Sequence, residues 1–233
     1  MEDVALEIWR RVFLALLHVH SRGVIHRDLH SKNVMVCHSA IEQSTFVAEH
    51  LRAVKLADFG KASMRRNASA NIPRPTYTAR TAGGCSIAPE VVFRRASIWT
   101  PTGKRTRDRE PEYAVSGAPG RCAYDEKIDT WASGMLLLEM VKGRIYEGTS
   151  DASVGKSMVA WFGCVPRDVV TRYNWSVPAG WISEECSDAA SIQRQLGQRT
   201  KLGFASGSLL WQEQVTRALT TLSYDPAARP DRL

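Results

Sequence analysis

With 233 residues, 44% of them hydrophobic and 24% charged, and a formal charge of +7, the chain can bury one good core and is too apolar for a disordered tail. Its five cysteines (Cys37, Cys85, Cys122, Cys164, Cys186) are odd in number and scattered without a Cys-x-x-Cys pair, which argues for reduced thiols and against a disulfide framework or a zinc site. No apolar run approaches the ~20 residues of a membrane helix, and the acidic start Met1-Glu2-Asp3 is unlike a signal peptide, so the expected location is intracellular, cytoplasmic, nuclear or both.

From Val4 to His20 the apolar positions Val4, Ile8, Val12, Ala15, Leu16 and Val19 recur at three to four residues, which predicts an amphipathic helix stopped at Gly23. Val24-Ile25 leads into His26-Arg27-Asp28-Leu29-His30-Ser31-Lys32-Asn33, and Val34-Met35-Val36 then reads as a short strand. A second strand, Val54-Lys55-Leu56-Ala57, runs directly into Asp58-Phe59-Gly60. Between the strands, about 37–53 is too long for a hairpin turn and is expected as an inserted surface loop.

Residues 61–87 carry Pro73, Pro75, Gly83 and Gly84 and little periodicity, the pattern of a long mobile loop that ends at Ala88-Pro89-Glu90. About 94–120 is expected as a second inserted loop, where Arg94, Arg95, Lys104, Arg105, Arg107 and Arg109 form a basic cluster. That cluster reads as a solvated loop or an attractor for an acidic partner, and nucleic acid is not expected because no recognition fold accompanies it. Beyond it, Asp125 or Asp129 is positioned to cap a helix through Trp131 to Val141 whose apolar middle, Met135 to Leu138, belongs in a core. Helical patterns at Ser157–Phe162 and Leu209–Leu222 complete the chain, with a Gly- and Ser-containing connection between them and no internal repeat.

His-Arg-Asp-Leu-x-x-x-Asn, Asp-Phe-Gly and Ala-Pro-Glu, in this order and at these separations, resemble the signature of the eukaryotic protein kinase family. The resemblance implies a mainly α fold, the large C-terminal lobe of a kinase, with short strands flanking the catalytic loop and Asp-Phe-Gly. Phosphoryl transfer needs a carboxylate to orient the attacking hydroxyl and oxygen ligands for magnesium. Carried over by position, Asp28 is implied as the catalytic base, and Asn33 and Asp58 as the ligands of Mg²⁺ and hence of ATP.

His26 and Arg27 are implied as supports of the loop, with Arg27 able to pair with a phosphorylated residue. Asp129, in Asp-Thr-Trp-Ala-Ser-Gly, matches the family aspartate that hydrogen-bonds the catalytic loop backbone. Glu90 and Arg229 match the family's buried ion pair. The stretch Glu139 to Ser150, Phe162-Gly163-Cys164-Val165-Pro166 and Tyr224-Asp225-Pro226 is similar to the cyclin-dependent and MAP kinase group, which makes Thr78 the candidate phosphosite. A protein substrate, and an activating subunit or upstream kinase, are the partners this implies.

The sequence departs from the pattern in places. No glycine-rich loop or Ala-x-Lys strand precedes the first helix, so residues 1–233 are expected to be the C-terminal lobe alone, and activity is expected to depend on a further lobe. His30 stands where serine/threonine kinases place a lysine near the transferred phosphate, with Lys32 two residues on as the substitute. Gly83 and Cys85-Ser86-Ile87 replace a threonine and a Trp-Tyr-Arg before Ala-Pro-Glu. The two functional readings are thus a serine/threonine kinase acting through Asp28, and a pseudokinase or kinase fragment serving as a protein-interaction module.

Overall fold

The computed structural model describes residues 2–38, 51–64, 86–93, 125–143, 145–146, 151–184 and 209–231. Thr78, residues 39–50 of the first expected insertion and the whole of 94–120 lie outside them. Among the described residues the architecture is mainly helical, with three small two-stranded sheets.

The first helix, α1 (Glu2–Ser21), has two buried faces rather than the single stripe its periodicity predicts. Ala5, Leu6, Trp9 and Phe13 enter the main core, while Val12 and Leu16 enter a second cluster with Leu29, Ala132 and Leu136. The predicted stripe of Ile8, Val12 and Leu16 is the second face, and it lies beneath the catalytic-loop residue Leu29. Each such large apolar side chain stabilises the fold by about 1.5–3 kcal/mol. The outer side is held by Glu7, which accepts from Arg10 Nε at 2.8 Å and Arg11 Nε at 2.7 Å; the Arg10 guanidinium foremost draws its carboxyl below the ordinary range. Gly23 ends the turn with φ 73°, its N–H donating to the His20 carbonyl at 2.8 Å.

Two antiparallel ladders follow. β1 (Val24–Ile25) pairs with β4 (Ser63–Met64), and β2 (Val34–His38) pairs with β3 (Leu51–Leu56) from Val34 opposite Leu56 to His38 opposite Leu51, with an irregularity between Cys37 and His38. The ladder therefore runs further than the sequence predicts, because Cys37, His38, Arg52 and Ala53 are not the β-branched or aromatic residues that mark a strand. After the short α2 (Pro89–Val92), with proline in its first turn, comes α3 (Lys127–Lys142).

Every residue of α3 from Ile128 to Leu138 is buried, which makes it the axis of the lobe. Of the two candidate caps, Asp125 takes that role, its Oδ1 accepting from Lys127 N at 3.0 Å, while Asp129 faces the catalytic loop. Gly134 permits a close approach: a Cβ there would collide with Thr221 Oγ1 and lie 2.7 Å from Leu222 Cγ. Trp131 packs edge-on to Phe162 with ring centroids 5.2 Å apart, and α4 (Asp151–Phe162) completes this side of the core.

β5 (Val165–Pro166) and β6 (Ile182–Ser183) form a parallel pair, with α5 (Arg167–Tyr173) in the connection. The sequence gives no helical expectation for α5, since seven residues with two adjacent valines show too little of the 3.6-residue period. Pro166 before it and Asn174, left-handed at φ 50°, after it are the boundary signals. The last helix, α6 (Leu209–Thr220), buries Val215, Ala218 and Leu219.

Candidate active site

The His26–Asn33 segment is fixed from below and from the side. Leu29, 1% exposed, anchors it in the cluster shared by α1 and α3. Asp129, on the first turn of α3, holds its backbone: Oδ2 accepts from His26 N at 2.7 Å and Oδ1 from Arg27 N at 2.8 Å. His20 Nε2 lies 2.9 Å from the same Oδ2, so three groups converge on one buried carboxylate. Arg27 adopts φ 69°, and Asp58 φ 59°, ψ 74°, left-handed conformations that cost a non-glycine residue roughly 1–3 kcal/mol. Strain of this kind in both loops marks the place where geometry is imposed on the chain.

The two loops are joined at several points. Ala57 N donates to the Asn33 carbonyl at 2.9 Å. His26 Nε2 meets the Ala57 carbonyl at 3.0 Å, and since Asp28 N donates to His26 Nδ1 at 3.3 Å, the ring proton belongs on Nε2. The fully buried His26 ring also contacts Phe59 edge-on, centroids 4.7 Å apart. Asp58 is thereby brought to the side of the loop that carries Asp28 and Asn33.

Asp28 is 4% exposed. Asn33 Nδ2 donates to its carbonyl at 2.8 Å and lies 3.4 Å from its Oδ2. With its amide nitrogen so engaged, Asn33 has its Oδ1 as the acceptor for a cation. Asp58 Oδ1 accepts from Gly60 N at 3.1 Å, closing the turn. Among the described residues no group of three or more His, Cys, Asp or Glu is placed to hold a metal. One amide oxygen and one carboxylate are instead the sparse oxygen set that suits magnesium, which keeps waters and phosphate oxygens in its remaining positions.

Basic side chains among the described residues reach the Asp28 carboxylate: Lys61 Nζ at 2.9 Å and His30 Nε2 at 3.8 Å from Oδ2. Lys32, the sequence candidate for a cation here, is exposed on the short 3₁₀ turn Ser31–Asn33 and makes no ion pair with the described residues. Lys61 was not legible in the sequence, because nothing local links positions 28 and 61. A small, partly open cleft adjoins the loop, lined by Arg27, Asp28, Ser86, Ile87, Ala88 and Val91 among others. Two residues after Asn33, Met35 on β2 is 61% exposed and offers an apolar side chain.

Further from the loop, Glu90 and Arg229 form a bidentate pair, Nη1 to Oε1 at 2.6 Å and Nη2 to Oε2 at 2.7 Å. Arg229 also donates to the carbonyls of Ser223 and Lys127, and its guanidinium lies 5.2 Å from the centre of the Trp131 ring. This pair fixes the helix after Ala88 to the start of α3.

Comparison with known proteins finds protein kinases. RAD53, a serine/threonine-protein kinase of Saccharomyces cerevisiae, is 29% identical over 158 residues, which are 67% of this chain and 16% of that protein. LIM domain kinase 1 of Drosophila melanogaster is 29% identical over 58% of this chain and 10% of its own length. CTD kinase subunit alpha of Schizosaccharomyces pombe is 26% identical over 62% of this chain and 17% of its own. The chain thus spans less than a fifth of the length of each of these relatives.

A crystal structure of the yeast RNA Pol II CTD kinase CTDK-1 complex superposes with a TM-score of 0.59 at 16% identity, covering 99% of this chain and 59% of that one, a likeness of fold. The family model of the protein kinase domain matches residues 1–188, and the chain belongs to the protein kinase family.

Proposed function

We propose that the chain carries the large-lobe half of a serine/threonine protein kinase active site that, completed by a small lobe, transfers the γ-phosphoryl group of ATP to a protein hydroxyl with Mg²⁺. The observation that carries this is the union of the two loops: the Ala57–Asn33 and His26–Ala57 hydrogen bonds bring Asp58 beside Asp28 and Asn33. In this reading Asp28 orients the substrate hydroxyl and receives its proton. Asn33 Oδ1 and the Asp58 carboxylate hold Mg²⁺, which neutralises phosphate charge when bound. The exposed apolar side chain of Met35, two residues after Asn33, suits the base of a nucleotide.

The names of the relatives support serine/threonine specificity. The resemblance around Glu139 to Val141 and Tyr224-Asp225-Pro226 supports a cyclin-dependent or MAP kinase-like enzyme with a regulatory subunit or upstream kinase as partner. Phosphorylated Thr78, paired by Arg27, is the regulatory device of this reading. The scattered cysteines support an intracellular setting.

Thermal unfolding of the chain with and without millimolar Mg·ATP tests the reading. The expected result is an upward shift that Asp58→Asn abolishes. No shift in the wild-type chain moves the reading to a kinase-fold interaction module.

A further inference from the structure

One residue in contact with the Asp28 carboxylate is not used by the function described above. Lys61 Nζ lies 2.9 Å from Asp28 Oδ2, closer than His30 at 3.8 Å. Its position is built rather than incidental. Lys61 closes the 3₁₀ turn Phe59–Lys61, whose first residue follows Asp58; Gly60 N donates to Asp58 Oδ1, and Ala62 N donates to the Phe59 carbonyl at 2.9 Å. The turn is clamped at both ends, by Ala57 on Asn33 before it and by the pairing of Ser63 and Met64 with β1 after it.

An ammonium on such a turn is fixed beside the proposed base, Asp28, on a residue three positions after the proposed metal ligand, Asp58. The Lys61 side chain is 39% exposed although the Asp28 carboxylate is buried, so an incoming phosphate can reach the same ammonium that touches the base. A lysine head is a compact point charge with three donors, suited to a phosphate oxygen and a carboxylate at once.

We propose that Lys61 is a catalytic cation that binds a γ-phosphoryl oxygen of ATP beside the hydroxyl oriented by Asp28, in the place where the loop itself offers only His30. The inference rests on the kinase reading above and names a residue for it. In the step served, the substrate oxygen bonds to the γ-phosphorus as the bond to the β,γ-bridging oxygen breaks. ADP leaves with that electron pair, and the hydroxyl proton passes to Asp28. Lys61 makes and breaks no covalent bond; it stabilises charge that develops on the phosphoryl oxygens.

The test uses the full chain joined to the small lobe of a related protein kinase, with kcat and KM for Mg·ATP measured on a serine-containing protein substrate and thermal unfolding recorded for each variant. Lys61→Met is expected to lower kcat by roughly 100-fold, with KM for ATP changed by less than about threefold. Lys61→Arg is expected to retain more activity than Lys61→Met. Adding His30→Lys to Lys61→Met returns an ammonium to the site and is expected to restore kcat by at least about tenfold; a lysine that merely braced Asp28 would give no such rescue. Unchanged or raised kcat in Lys61→Met, or a larger loss in Lys32→Ala, overturns the inference while leaving the kinase reading standing. A wild-type chain that neither binds Mg·ATP nor transfers phosphate overturns the kinase reading and the role of Lys61 with it.

Discussion

Arg229 and Glu90, separated by 139 positions in the sequence, close a two-point ion pair that is almost wholly withdrawn from solvent, at 2% and 4% exposure. The guanidinium is also bonded to the Ser223 and Lys127 carbonyls, so the pair ties together α2, the start of α3 and the turn after α6. Removing one partner leaves a buried charge without its counterpart. Glu90→Ala or Arg229→Ala is expected to lower unfolding stability by about 3–5 kcal/mol, measured in urea, whereas the double change Glu90→Leu/Arg229→Met recovers much of that loss. Equal losses in the single and double variants would contradict the account.

Asp129 is expected to govern the order of the catalytic loop. Asp129→Ala removes the acceptor of two loop N–H groups and of His20, at a cost of about 3 kcal/mol. Amide hydrogen exchange resolves the effect: His26 and Arg27 are protected in the wild type and exchange faster in the variant. Unchanged protection at those two amides would show that packing of Leu29 alone holds the loop.

Gly134→Ala is expected to destabilise the lobe by about 1–3 kcal/mol, because the added methyl collides with Thr221 Oγ1 and with Leu222 Cγ and Cδ2 at 2.7 and 2.9 Å. Gly134→Ala combined with Leu222→Ala should lose less than the sum of the two changes, since each makes room for the other. Thermal unfolding of the four proteins in the cycle measures this.

Tyr224 gives the fold an alkaline limit. Its hydroxyl donates to the Gly163 carbonyl at 2.9 Å, and complete burial raises the phenol far above its ordinary value of 10.0. The folded state therefore favours the neutral phenol more than the unfolded state does. Its stabilisation is whole below pH 10 and is lost as pH rises beyond it, by about 1.4 kcal/mol per pH unit from this group. Tyr224→Phe should flatten the fall of stability above pH 10, at a cost of about 1 kcal/mol at neutral pH. A wild-type fall as shallow as that of the variant would contradict this.

The chemistry of the site was legible in the sequence because Asp28, Asn33, Asp58, Glu90 and Asp129 each stand in a local motif whose spacing survives without knowledge of the fold. Other features depend on contacts between distant segments. Periodicity marked the Ile8, Val12 and Leu16 face of α1 and missed Trp9 and Phe13, because a helix buried on two sides blurs its own stripe. The hairpin strands were recognised at their inner ends only, where alternation is clearest. Helix α5 was hidden by its seven-residue length. Lys61 was invisible for a different reason: its partner Asp28 is reached only when β4 pairs with β1 and the turn after Asp58 folds back.

The most direct test of the central claim is transfer of labelled γ-phosphate from Mg·ATP to serine or threonine of a protein substrate by the chain joined to the small lobe of a related protein kinase, comparing the wild type with Asp28→Asn. The account predicts incorporation by the wild type and a loss of roughly 10²–10⁴-fold in the variant, with its fold intact. Equal incorporation by the two proteins, or none by a wild-type chain that is folded and saturated with Mg·ATP, would contradict it.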